Sequence, residues 1–198
     1  DAMGAVMEAL IDAILWALQS PPPLAIIAAF LALTWYLQRS WKVVTFVALA
    51  FAFILNQGYW EETTESLTLV LSSCVVCMGL GVPIGIWAAH RPKAFAAMTP
   101  VLDLMQTLPT FVYLIPAIVF FGIGMVPGLI ATVIFVLPAP IRMTQLGIAS
   151  TPMPLLEAAT AFGATPRQVL WKVELPYAFP QIMAGLNQTI MLSLSMVV

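Results

Sequence analysis

Few residues in this chain could do chemistry. Cys74 and Cys77 form CVVC inside an apolar run. Thiols serve redox exchange or metal binding as thiolates, which need nearby positive charge, a metal or solvent. Ser72, Ser73, Val75, Val76 and Met78 supply none of these, so both cysteines read as small packing residues of a lipid-buried helix. The single histidine, His90 in AHRPK, has no carboxylate cluster beside it and reads as a loop residue at a helix edge. No catalytic residue and no metal ligand is assigned, and an enzyme is not expected. Lys42, Lys93 and Lys172 are never preceded by glycine, so no GxxxxGK[ST] phosphate loop exists to hold ATP in the usual way.

The polar residues instead concentrate in EAATAFGATPRQVLWKVELP, Glu157 to Pro176. The segment from Ser150 to Pro176 reads as two short helices. Thr151 is expected to cap the first, with Pro152 at its first position, where a missing N–H does no harm. That helix should stop at Phe162, with Gly163 in the left-handed region. Thr165 should cap the second, with Pro166 first and Gln168 completing a capping box. Its end is expected before Pro176, because the residue preceding a proline avoids helical geometry. Leu155, Leu156, Ala159, Phe162, Val169, Leu170 and Trp171 make this elbow more apolar than a solvated loop. A groove on a partner could bury that face, with Glu157, Arg167 and Lys172 at the rim; the alternative is an elbow packed beneath its own bundle.

The elements that must position this elbow are membrane spans. Of 198 residues, 62% are hydrophobic and 8% charged, where a soluble domain carries about 25% charged. An all-α integral membrane protein follows. With a net charge of −2 and no basic run, nucleic acid is not an expected partner. Residues 1–23 have helical apolar periodicity with Asp1, Glu8 and Asp12 between, and close on three prolines. They read as an amphipathic helix on the membrane surface or a packed helix outside it, and no secretion signal is visible. About six spans follow: Leu24–Leu37, Trp41–Trp60, Leu67–Ala89, Pro100–Phe121, Val126–Leu146 and Phe179–Val198. The first two (24–60) are read as peripheral and 61–198 as a core containing the 150–176 elbow.

Alternating spans put Arg39, Lys42, Arg91, Lys93, Arg142, Arg167 and Lys172 on one side and Glu61, Glu62 and Glu65 on the other. Basic residues mark the cytoplasmic face, so the N-terminus is expected outside and the 142–178 segment inside. Gly81 and Gly85 flank Pro83 in a pattern that lets helix backbones approach closely. Pro109, Pro116, Pro138 and Pro140 interrupt spans, and carbonyls freed by proline survive in lipid only beside protein or a water-filled cavity. A bundle around a path, or a static kinked bundle, would fit. Path candidates are Asp103, Gln106, Thr107, Tyr113, Asn187, Gln188 and Thr189. Asp103 should face the bundle interior or lie near the interface, the latter favoured by its closeness to Lys93. The others can equally bond to a neighbouring helix. Phe111, Tyr113, Phe120 and Phe121 could offer faces to a quaternary ammonium or simply pack.

Glu157-Ala158-Ala159, three residues, Gly163, nine residues, Val173, one residue, then Leu175-Pro176 resembles the EAA signature of bacterial ABC importer permeases, EAA-x3-G-x9-I-x-LP. Val173 for isoleucine is the one departure. The stretches 101–124, 142–148 and 184–198 are similar to the osmoprotectant branch, the permeases for glycine betaine, proline betaine and choline. The resemblance implies a type I ABC importer permease fold in a bacterial inner membrane, with the elbow as the coupling helix. Glu157, Ala158, Ala159, Gly163 and Arg167 would then meet an ATP-hydrolysing subunit, and Leu175 and Pro176 would set the return into the membrane. It further implies two ATP-binding subunits carrying ATP and Mg, a second copy of the permease, an external substrate-binding protein, and alternating access. No cofactor is expected on this chain. A permease for another small solute, an amino acid or a sulfonate, is the alternative, and a membrane scaffold a lesser one. The family continues past the match with a further core span, so a core incomplete at Val198 is expected.

Overall fold

A computed structural model describes residues 2–197. Among the described residues every regular element is helical. The chain divides into two compact units, Asp1–Ser72 and Ser73–Val198.

In the first unit, α1 (Ala2–Gln19) stops where Pro21 and Pro22 can no longer supply N–H groups. α2 (Pro23–Gln38) restarts with proline at its first position, at 92° to α1. Arg39, in the left-handed region at φ 48°, ends α2, and α3 (Trp41–Gln57) runs back beside it. Phe30 meets Phe51 at 5.6 Å and Trp35 meets Trp41 at 4.7 Å, aromatic pairs that hold this hairpin. α4 (Trp60–Ala89) begins in this unit, where Thr64 Oγ1 accepts a 2.9 Å hydrogen bond from Gln19 Nε2 of α1.

The second unit holds the rest of α4, then α5 (Pro92–Thr107), α6 (Phe111–Phe121), α7 (Met125–Val136) and α8 (Pro138–Ala149). The elbow helices α9 (Met153–Ala161) and α10 (Pro166–Val169) lead through a π turn, Leu170–Glu174, into α11 (Leu175–Val197). Its centre is α8, clasped on two sides. A Cβ added to Gly81 would lie 2.7 Å from the Pro140 ring, and one on Gly85 would lie 2.6 Å from Thr144 Cβ and 2.7 Å from the Ile141 carbonyl. On the other side, Gly185 of α11 faces Met143, and Gly147 of α8 faces Ala178 and Gln181, so close that an added Cβ would lie 3.0 Å from their Cβ atoms. The close approach expected at Gly81 and Gly85 is therefore present, and α8 is what approaches. Ile148, Ala178 and Ile182 form a buried cluster beneath, flanked by Met78, Val82, Ile86 and Ala89 of α4. Cys77 is fully buried, its Sγ 3.8 Å from the Val133 carbonyl, and Ser73 Oγ donates to Ser193 Oγ at 2.7 Å.

The spans differ from the six expected. Among the described residues two helices, Trp60–Ala89 and Met125–Ala149, are long and apolar enough to cross a membrane, or up to four spans if each bent pair counts as one. Pro100–Phe121 is not one rod: α5 starts earlier, at Pro92, and meets α6 at 85°. Pro109 is the cause, holding Leu108 extended at φ −74°, ψ 140°. The helix expected over Val126–Leu146 extends to Ala149, which leaves Arg142 about two turns from its end. The last helix begins at Leu175, before the expected Phe179.

Gly85→Ala is expected to lower stability by about 1–3 kcal/mol through overpacking against backbone that cannot swing aside. Gly79→Ala, with nothing within 4 Å, should be neutral or gain about 0.5–1 kcal/mol. Unfolding midpoints of the two variants in one detergent check this, and equal midpoints would refute the clasp.

Candidate functional site

The elbow is built from local chemistry. α9 ends at Phe162, whose N–H bonds back to the Ala158 carbonyl, and Gly163 reverses the chain at φ 79°, the region that favours glycine. Thr165 then caps α10 reciprocally. Its Oγ1 accepts from the Gln168 N–H at 3.4 Å, and its own N–H donates to Gln168 Oε1 at 2.9 Å. The capping box stands as expected.

Two expectations for the elbow fail. Thr151 does not cap α9: Pro152 occupies the cap, and Thr151 Oγ1 is buried without a hydrogen-bond partner. A helix capped by Thr151 would place Pro154 at the third position, which has no N–H to donate. Nor does the second helix end before Pro176. The π turn carries it straight into α11, with the Leu175 N–H reaching the Leu170 carbonyl five residues back. The widened turn spares Pro176 the hydrogen bond it cannot make.

The elbow has two faces. Val169 is buried, and Leu156, Ala159 and Leu170 are half-buried. On the other face Phe162 is 93% exposed, with Met153, Leu155 and Trp171 also exposed. Glu157, Ala158, Gly163 and Arg167 lie on the exposed surface with them, as does Pro176. Trp171, Leu175, Pro176, Phe179 and Ile182 line an open apolar groove of about 490 Å³ beside the elbow.

Away from the elbow, Arg142 Nη2 of α8 donates to Asp103 Oδ1 of α5. Asp103 lies about 16 Å along α5 from Pro92, and Arg142 about 10 Å from the end of α8 at Ala149. Arg142 Nε is buried and unpartnered, while the Asp103 carboxylate is 54% exposed. Gln106 and Thr107 follow Asp103 by one turn. The Tyr113 hydroxyl, from beyond the α5–α6 bend, donates to the Leu104 carbonyl at 3.1 Å. These four candidates gather at the bend. Asn187 and Gln188 are exposed on α11, and Thr189 is fully buried, its hydroxyl donating to the Gly185 carbonyl. Thr189 is thus bonded within its own helix.

Like the Asp103–Arg142 pair, a second contact was not expected from the sequence. His90 Nε2 lies 3.1 and 3.2 Å from the two carboxylate oxygens of Glu174, and His90 Nδ1 lies 2.9 Å from the Ile86 carbonyl. The signal available was Glu174 itself, an acid between Val173 and Leu175-Pro176 that burial would leave in need of a partner.

Residues 81–198 match the family described as binding-protein-dependent transport system inner membrane component. The chain is 46% identical over 196 residues to the glycine betaine/carnitine transport permease protein GbuB of Listeria monocytogenes, covering 98% of this chain and 70% of that protein. It is 46% identical over its whole length to the glycine betaine transport system permease protein OpuAB of Bacillus subtilis, again 70% of that protein. To the glycine betaine/proline betaine transport system permease protein ProW of Escherichia coli it is 49% identical over 179 residues, 90% of this chain and 50% of ProW. The EAA-type elbow falls inside the matched region, and this chain belongs to the binding-protein-dependent transport system inner membrane components, a family of multi-pass transport permeases.

Proposed function

We propose that this chain is the transmembrane permease subunit of an ATP-driven importer for a quaternary ammonium osmoprotectant of the glycine betaine class. The observation that carries this reading is the two-faced elbow: capped, reversed at Gly163, and exposing Phe162, Leu155 and Trp171 beside Glu157 and Arg167. An exposed apolar knob with a charged rim fits a groove on another protein. That partner is an ATP-hydrolysing subunit in two copies, holding ATP and Mg, and this chain hydrolyses nothing itself. A second copy of the permease completes the path, and an external binding protein delivers the solute. Nucleotide-driven closure of the partners draws the two elbows together and switches the bundle between inward-open and outward-open. The clustering of Arg39, Lys42, Arg91, Lys93, Arg167 and Lys172 at alternate helix ends favours the elbow inside the cell and the N-terminus outside.

The Asp103–Arg142 pair supports the substrate class. Glycine betaine, proline betaine and carnitine, named for the relatives, each join a quaternary ammonium to a carboxylate with no net charge. An ion pair set about 10–16 Å along its helices offers both complementary signs at no net charge. Asp103, Gln106, Thr107 and Tyr113 are accordingly the path residues of this reading, with Asn187 and Gln188 on α11; Thr189 instead fixes its own helix.

Phe162→Asp should leave folding unchanged, since the ring is solvent-exposed, yet reduce co-purification of the ATPase by roughly tenfold or more, as for an interface anchor. Undiminished co-purification would refute elbow docking. In reconstituted complexes, labelled glycine betaine should be imported in preference to choline, whose lone positive charge leaves Arg142 unanswered. Asp103→Asn should lower glycine betaine uptake by roughly tenfold, because it strands the Arg142 charge. Equal uptake of both solutes, untouched by that substitution, would move the pair out of the path.

A further inference from the structure

The packing of α4 against the α8–α11 cluster reaches Ala89 and goes no further. Beyond it a cleft of about 290 Å³ opens between the end of α4 and the elbow, lined by His90, Leu156, Thr160, Ala164, Val169 and Glu174 among others. Across this cleft His90 grips Glu174. The geometry limits how the protons are arranged. The Ile86 carbonyl can only accept, so in a hydrogen bond there His90 Nδ1 is the donor, and Nε2 is the ring nitrogen that faces the carboxylate. The Glu174 side chain is only 10% exposed, whereas His90 is 48% exposed. A carboxylate buried to that degree is costly without a partner. Arg91, the neighbouring cation, lies over the Trp87 ring at 5.4 Å.

Glu174 is the last residue of the π turn. One extra residue in a turn rotates what precedes it by about 100° relative to an unbroken α-helix. The widened turn therefore sets the bearing of Glu174 and the elbow relative to α11.

Resting on the coupling role given above, we propose that His90 and Glu174 are positioning residues that tie the end of α4 to the elbow. The elbow joins the bundle covalently at only two places, through Ser150–Pro152 to α8 and through the π turn to α11. The His90–Glu174 contact is a third attachment, and it makes α4 follow when the elbow is displaced. Without it, an elbow pushed by the ATPase shifts across the cleft, and hydrolysis continues with less of it converted into movement of the spans.

The test uses the complete complex in proteoliposomes, measuring labelled glycine betaine imported and ATP hydrolysed in the same sample. His90→Leu removes the tie. The double variant His90→Leu/Glu174→Leu removes it without leaving a buried lone carboxylate, and so guards against a folding defect. Both should assemble with the ATPase and hydrolyse ATP, but import roughly fivefold less solute per ATP, at the lower end of typical coupling between sites. His90→Lys, whose ammonium can still meet Glu174, should restore most of the ratio. A merely structural role would lower import and hydrolysis together. An unchanged ratio in the double variant, whatever happens to the two rates, overturns the tie alone. Failure of the wild-type complex to import at all overturns the importer reading and the tie with it.

Discussion

The architecture of the second unit depends on how closely backbone can approach backbone around α8. Gly81 and Gly85 on one flank, and Gly147 and Gly185 on the other, remove the side chains that would hold α4 and α11 away. In lipid no hydrophobic force drives helices together, so contact of this kind, with hydrogen bonds such as Ser73 to Ser193, is what remains to hold a bundle. Because α8 leads directly into the elbow and α11 leads out of it, the same clasp fixes where the elbow hangs.

The ion pairs of the second unit sit where helices must keep a bearing relative to one another. Asp103 and Arg142 join α5 to α8, and His90 and Glu174 join the end of α4 to the π turn. In a chain with 8% charged residues, such pairs are expensive to place in apolar surroundings and only repay that when geometry matters. The Pro109 break belongs to the same pattern: it turns α6 away from α5 and brings the Tyr113 hydroxyl back to the Leu104 carbonyl.

What was legible in the residues was governed by short-range chemistry. The capping box of Thr165 and Gln168 and the left-handed Gly163 could be read because each is decided within four residues. The same local rules misplaced the cap at Thr151, where a second proline two residues on removes the donor, and the helix end at Pro176, where a π turn absorbs the missing N–H. Hydropathy located the apolar blocks but could not tell one rod from a pair bent by 85°. The ion pairs were out of reach for a different reason. Residues 39 and 84 positions apart meet only once the bundle has formed, and nothing local announces the partner.

Phe162 carries a practical consequence. On the proposed reading of the elbow as a segment outside the bilayer, a phenyl ring 93% open to its surroundings would stand clear of any detergent belt that wraps the bundle. Expressed alone, the subunit would present one adhesive knob to water, so its aggregation should begin at the elbow rather than at the lipid-facing helices. Solubility of the isolated chain then reports on whether that knob is covered, not on how well the membrane-embedded part has been extracted.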